Sequence, residues 1–130
     1  MDWVIKDQLA RSPRPGFPSH DVSSEDVDEW IQEAINLGIK TIIVLLHDTQ
    51  LTWYPRIEEG LISRYEQAGL DVRHFSILDY KTPPINEEDL PPILDAFNES
   101  YKPVLIHCSA GVDRTGQSIE YILGAMEDAK

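Results

Sequence analysis

The sequence predicts an α/β fold, a largely parallel central sheet with helices on both faces, and two observations carry that prediction. The segments Thr41-Ile42-Ile43-Val44-Leu45-Leu46 and Pro103-Val104-Leu105-Ile106-His107 are almost wholly apolar and too short for core helices. Such runs read as strands buried on both faces of a sheet. Segments of helical periodicity alternate with them, which is the pattern of strand–helix–strand units. With 130 residues, 42% of them apolar, the chain is expected to form one domain over residues 1–130. A domain of that size buries roughly 65–70% of its unfolded surface.

The elements follow in order. A short strand pair is expected at residues 3–5 and 8–10. The prolines of Ser12-Pro13-Arg14-Pro15-Gly16-Phe17-Pro18 cannot donate to a ladder, so this stretch is expected to be a rigid, extended connection. Ser23, with Asp26 three positions on, resembles a capping box. Val27, Trp30, Ile31, Ala34 and Ile35 then share one helical face, and Gly38 sits where a C-terminal cap belongs. After the strand at 41–46, a second helix is expected over 57–68, ended by Gly69, followed by a strand over 72–77. Residues 86–89 read as a helix start, with Pro91 and Pro92 confined to the first turn and Ile93, Leu94 and Phe97 facing the core. The last helix places Ile119, Ile122, Leu123 and Met126 on one stripe.

Composition excludes several classes. Twenty-three acidic against 11 basic side chains give a net charge of −12, which argues against nucleic acid as a partner and against a polybasic membrane anchor. No apolar run approaches the ~20 residues of a membrane span, and the N-terminus lacks the basic start and apolar stretch of a signal peptide. A cytoplasmic location is the resulting expectation. A single cysteine excludes an internal disulfide and a Cys-rich zinc module.

The residues carrying chemistry lie between the strand at 103–107 and the last helix: His107-Cys108-Ser109-Ala110-Gly111-Val112-Asp113-Arg114-Thr115-Gly116. Ligand sites in open α/β sheets form beyond the carboxyl ends of strands. A helix N-terminus offers unpartnered amides and a positive dipole end. Cys108 at the base of that field is expected to be a thiolate near neutral pH. Arg114 supplies a planar fork for two oxygens of one phosphate. Nucleophile, amide cradle and guanidinium fall within seven residues, so the segment reads as a phosphate site containing a nucleophile.

This stretch resembles the HCxxGxxR(S/T)G signature of cysteine-dependent protein tyrosine phosphatases, met by His107, Cys108, Gly111, Arg114, Thr115 and Gly116. The likeness is strongest to small atypical dual-specificity phosphatases. Their N-terminal strand pair is similar to Asp2-Trp3-Val4-Ile5 with Leu9-Ala10, and their general-acid loop is similar to Ile77-Leu78-Asp79-Tyr80-Lys81-Thr82-Pro83-Pro84. The resemblance implies the three-layer fold of that superfamily and a two-step reaction requiring neither metal nor cofactor. In it Cys108 attacks phosphorus, while Arg114 and the amides of Ser109, Ala110, Gly111, Val112, Asp113 and Arg114 hold the phosphoryl oxygens. Asp79 serves as acid and then base, Thr115 hydrogen-bonds the leaving thiolate, and His107 orients the loop from below. The implied substrates are phosphotyrosine and, through a shallow pocket, phosphoserine and phosphothreonine.

Two departures open alternatives. Asp113 beside Arg114 resembles the loop acid of some bacterial and phosphoinositide-directed phosphatases; the competing reading makes it a helix cap. Sixteen residues follow Arg114, fewer than the family commonly has, so exposed apolar surface and a homodimer are expected if further helices are missing. A phosphoinositide or small phosphate-ester phosphatase, a non-catalytic phosphate-binding module and a rhodanese-type sulfurtransferase are the competing functions. His20-Asp21, His47-Asp48, His74 and His107 do not form a recognised metal-ligand spacing. Trp53, Tyr54, Arg56 and Lys81 are candidates for the mouth of the site.

Overall fold

In the computed structural model, which describes residues 1–129, the buried apolar runs form the middle of a five-stranded sheet. Strands β1 (Asp2–Ile5), β2 (Leu9–Ser12), β3 (Thr41–Val44), β4 (Asp71–His74) and β5 (Val104–His107) lie in the order β1-β2-β5-β3-β4. β1 and β2 are antiparallel, and every other pairing is parallel. Every residue of β3 and β5 is buried. One sheet face, with Ala10, Ile42, Val44 and Leu105, packs against the helices α1 (Ser24–Asn36) and α3 (Leu61–Gln67). The other, with Leu9, Ile43, Val104 and Ile106, packs against α4 (Leu90–Glu99) and α5 (Asp113–Asp128). Full burial of one such side chain stabilises the fold by about 1.5–3 kcal/mol.

Local signals place the helix ends. Ser23 Oγ accepts from Asp26 N at 3.2 Å and caps α1. Gly38 follows the helix at φ +84°, the left-handed conformation that a glycine adopts without a Cβ penalty. Pro91 and Pro92 sit in the first turn of α4, where missing amides cost nothing.

Several expectations are corrected. The second helix is not continuous over 57–68: turns precede α3, and a separate short helix α2 (Asp48–Leu51) follows β3. The strand expected over 72–77 is β4, which ends at His74, because the chain leaves the sheet there to carry the next loop. The proline-rich stretch is not simply extended but turns over residues 15–18 and buries Arg14. Ile35 is 41% exposed on the flank of α1. Leu123 is 39% exposed because the buried stripe of α5 runs through Arg114, Thr115, Ser118, Ile119 and Ile122.

The register positions the site. Ser12 pairs with His107 and Val44 pairs with His107, so β2, β5 and β3 end level. The loops that follow, together with the loop after β4, therefore rise from one edge of the sheet, at the carboxyl ends of its parallel strands.

Candidate active site

β5 ends in His107 and hands the chain to a loop, residues 108–112, that enters α5. Cys108 is 3% exposed at the base of this loop. Gly111 has φ +75°, and a Cβ there would lie 2.5 Å from the carbonyl oxygen of Ser12, so the position excludes any side chain. The loop carbonyls are occupied from outside. The Ser109 carbonyl accepts from Arg14 N at 2.9 Å and that of Gly111 from Arg11 Nη2 at 2.8 Å. The amides from Ser109 to Arg114 donate to no backbone carbonyl among the described residues. That leaves them available to an anion at the start of α5.

His107 is completely buried beneath the loop. A carbonyl only accepts, so the 3.0 Å contact to the Cys108 carbonyl places the ring hydrogen on Nδ1. Burial lowers the His107 pKa to about 4, so the ring is neutral at pH 7 and Nε2 accepts the hydroxyl of Tyr65 at 2.9 Å. Tyr65, pushed well above its ordinary value by burial, stays a donor. The unfolded chain binds this proton near pH 6.5 and the folded one only near pH 4. The stability His107 contributes is therefore fully present above pH 6.5 and is lost as pH falls towards 4, by about 3 kcal/mol. Denaturant unfolding of the native protein and of His107→Gln at pH 7 and pH 4 should show that difference. Parallel losses in the two proteins would mean that His107 is not the buried neutral group.

Arg114 is buried as well. Its Nη1 donates to the Leu45 carbonyl at 2.9 Å, the Ile77 carbonyl at 2.9 Å and Gln50 Oε1 at 2.8 Å. Nη2 pairs with Asp79 Oδ2 at 2.8 Å. The Nε hydrogen has no partner, and neither has the buried Thr115 Oγ1, among the described residues. Unfilled buried polar atoms are rare and costly in a folded protein, and one of these two belongs to Arg114, which lines a cavity.

The loop after β4 delivers Asp79, whose side chain is 20% exposed. Its Oδ1 accepts from Tyr80 N at 2.9 Å and its Oδ2 from Gln50 Nε2 at 2.9 Å, besides the pairing with Arg114. Asp79, Cys108, Ser109, Ala110, Asp113 and Arg114 line one cavity of about 240 Å³, with Phe17 and Lys81 at its wall.

The structure thus brings together Cys108, Arg114 and both candidate acids, with His107 supporting the loop from the sheet side. Asp113 is not the cap of α5: it is the first helical residue, Val112 precedes it as N-cap, and no side chain caps the helix. Val112 itself is 59% exposed and does not line the cavity. Arg56 is drawn off to Asp21 at 2.9 Å, and Trp53 stacks on His20 at 4.1 Å, so neither arginine nor indole is aimed at the cavity. His47 accepts from Thr49 N at the start of α2, and His74 meets the Leu46 carbonyl. The histidines thus serve separate local contacts.

Three supports of the site were not found by motif reasoning. Gln50 joins Arg114 to Asp79. Arg11 holds the Gly111 carbonyl, and Arg14 donates from Nε to Ser109 Oγ at 3.1 Å while its guanidinium lies 4.5 Å from the Trp53 ring centre. Their signal was positional: each lies on or just beyond the carboxyl end of a strand neighbouring β5.

Solved structures of similar fold are described as phosphatases. A DUF442 candidate phosphatase from Shewanella putrefaciens CN-32 superposes with a TM-score of 0.67 at 19% identity, over 98% of this chain and 69% of that one. A second structure of it gives a TM-score of 0.66 at 21% identity, over 92% of this chain and 68% of that one. Kinase-associated phosphatase, with its catalytic cysteine replaced by serine, gives a TM-score of 0.67 at 23% identity over 94% of this chain and 66% of that one. No curated protein matches the sequence. The sheet, its helical layers and the loop at the end of β5 have the fold of these proteins. The chain belongs to the Tc-R-P family, described as the DSP-PTPase phosphatase of polymorphic toxin systems, which matches residues 19–125. No described helix is long and apolar enough to cross a membrane.

Proposed function

We propose that the protein hydrolyses phosphotyrosine, and phosphoserine or phosphothreonine, through a metal-independent cysteinyl-phosphate intermediate. The observation supporting this reading is one cavity holding Cys108 beneath unpartnered loop amides, with the vacant Nε donor of Arg114 at its wall. The Cys108 thiolate attacks phosphorus in line, the S–P bond forms and the ester P–O bond breaks. Arg114 and the amides from Ser109 to Arg114 carry the equatorial oxygens. Substrate oxygens take over Arg114 Nη2; Asp79, released from that ion pair, takes up a proton from solvent and gives it to the departing oxygen. Water then attacks phosphorus, its proton passes to the Asp79 carboxylate, the S–P bond breaks and the thiolate returns. Thr115, whose Oγ1 is buried without a partner among the described residues, donates to that leaving thiolate in this scheme.

Asp79 is favoured over Asp113 as the acid because three donors fix its carboxylate beside Arg114. Asp79→Ala should lower turnover by about 10²–10⁴ for phosphate esters with poor leaving groups and by less for p-nitrophenyl phosphate. If Asp113→Ala produces that pattern and Asp79→Ala does not, the acid is Asp113. The small-ester reading is separated by comparing phosphopeptides with phosphoinositides as substrates.

A further inference from the structure

We infer that Gln50 is the positioning residue that fixes the phosphate-binding guanidinium and the general acid relative to one another. The inference rests on the reading of Asp79 as the acid. Gln50 is 4% exposed and lies in α2, on the loop that leaves β3 level with the end of β5. The orientation of its amide is determined by its partners. Oε1 faces two obligate donors, Arg114 Nη1 at 2.8 Å and His47 N at 3.1 Å, so it is the oxygen. Nε2 therefore faces Asp79 Oδ2 at 2.9 Å and donates to it.

A carboxamide suits this place because it accepts from a cation at one end and donates to an anion at the other without carrying charge. A glutamate would keep the bond to Arg114 but set a second carboxylate against Asp79, and one of the pair would then hold a proton. A leucine would fill the space and remove all three bonds, the one from His47 N included. Asp79 also faces Arg114 directly, with Cys108, Asp113 and Lys81 around the same cavity. The Gln50–Asp79 bond is thus a neutral contact by which the loop after β3 holds the carboxylate of Asp79 against Arg114.

The test is a set of pH–rate profiles on aryl phosphates of graded leaving group, for the native protein, Asp79→Asn, Gln50→Leu and Gln50→Glu. Asp79→Asn should remove the limb of the profile that reports the acid and most of the turnover of poor leaving groups. Gln50→Leu should cost on the order of 10²-fold in kcat for poor leaving groups, with much less change for activated ones and in KM. Gln50→Glu should move the acid limb upward by about one pH unit. If Asp79→Asn behaves as stated while both Gln50 variants keep the native limb and leaving-group dependence, the inference is overturned and Gln50 is structural only. A silent Asp79→Asn instead removes the acid assignment itself, and the Gln50 proposal with it.

Discussion

Replacement of Cys108 by serine should abolish hydrolysis of p-nitrophenyl phosphate in EDTA, a loss on the order of 10⁶-fold, while leaving affinity for an oxyanion such as tungstate in place. The magnitude is that of removing the nucleophile from a covalent hydrolase. The physical basis is the difference between sulfur and oxygen as nucleophiles, since a thiol ionises far more readily than an aliphatic hydroxyl. Cys108 lies at the base of the loop that enters α5. A serine hydroxyl there needs a base, and His107 supplies none, since both its nitrogens are committed to the Cys108 carbonyl and Tyr65. The proposed anion cradle consists of amides and Arg114, which the substitution leaves untouched. Calorimetric titration with tungstate, run beside the assay, separates the two roles; turnover retained by the serine variant would sink the cysteinyl-phosphate route.

Arg114→Lys should lower kcat/KM by at least about 10³-fold and destabilise the fold by about 3 kcal/mol. The first effect follows from losing a planar fork aimed at charge that develops in the transition state, which an ammonium point charge does not reproduce. The second follows from the buried acceptors that Arg114 satisfies: the carbonyls of Leu45 and Ile77, Gln50 Oε1 and the Asp79 carboxylate. Removing one partner leaves others buried and unpaired. Steady-state kinetics and urea denaturation on the same variant measure both. A variant with normal kinetics would contradict the cradle, and one with normal stability would contradict the role of Arg114 in joining three loops.

Much of this was readable in the residues, for identifiable reasons. The strands β3 and β5 are legible because burial on both faces forces uninterrupted apolar runs, and the loop between β5 and α5 is legible because its chemistry is contiguous. Gln50 is not, because its role depends on the level ends of β3 and β5, a property of register that no local pattern encodes. Arg11 and Arg14 were hidden in the same way: a strand residue and a residue among prolines act on carbonyls and a hydroxyl roughly a hundred positions away. The exposed Leu123 shows the converse failure. Periodicity locates a stripe of apolar residues on α5, but the site draws Arg114, Thr115 and Ser118 into the buried stripe and turns Leu123 outward.

The pairing of Ser12 with His107 has a consequence for the order in which the enzyme comes into being. Arg14 and Ser109 are 95 positions apart, and β2 has no parallel neighbour until β5 exists. At synthesis rates of about 5–20 residues per second, some 5–20 s pass between the emergence of the first strands and that of the segment they clasp. During that interval the early hairpin waits without its sheet, and the nascent chain has no anion cradle. Long-range closures of this kind also slow folding from the denatured state. Competence thus arrives late and at once, when the last parallel strand slots between β2 and β3.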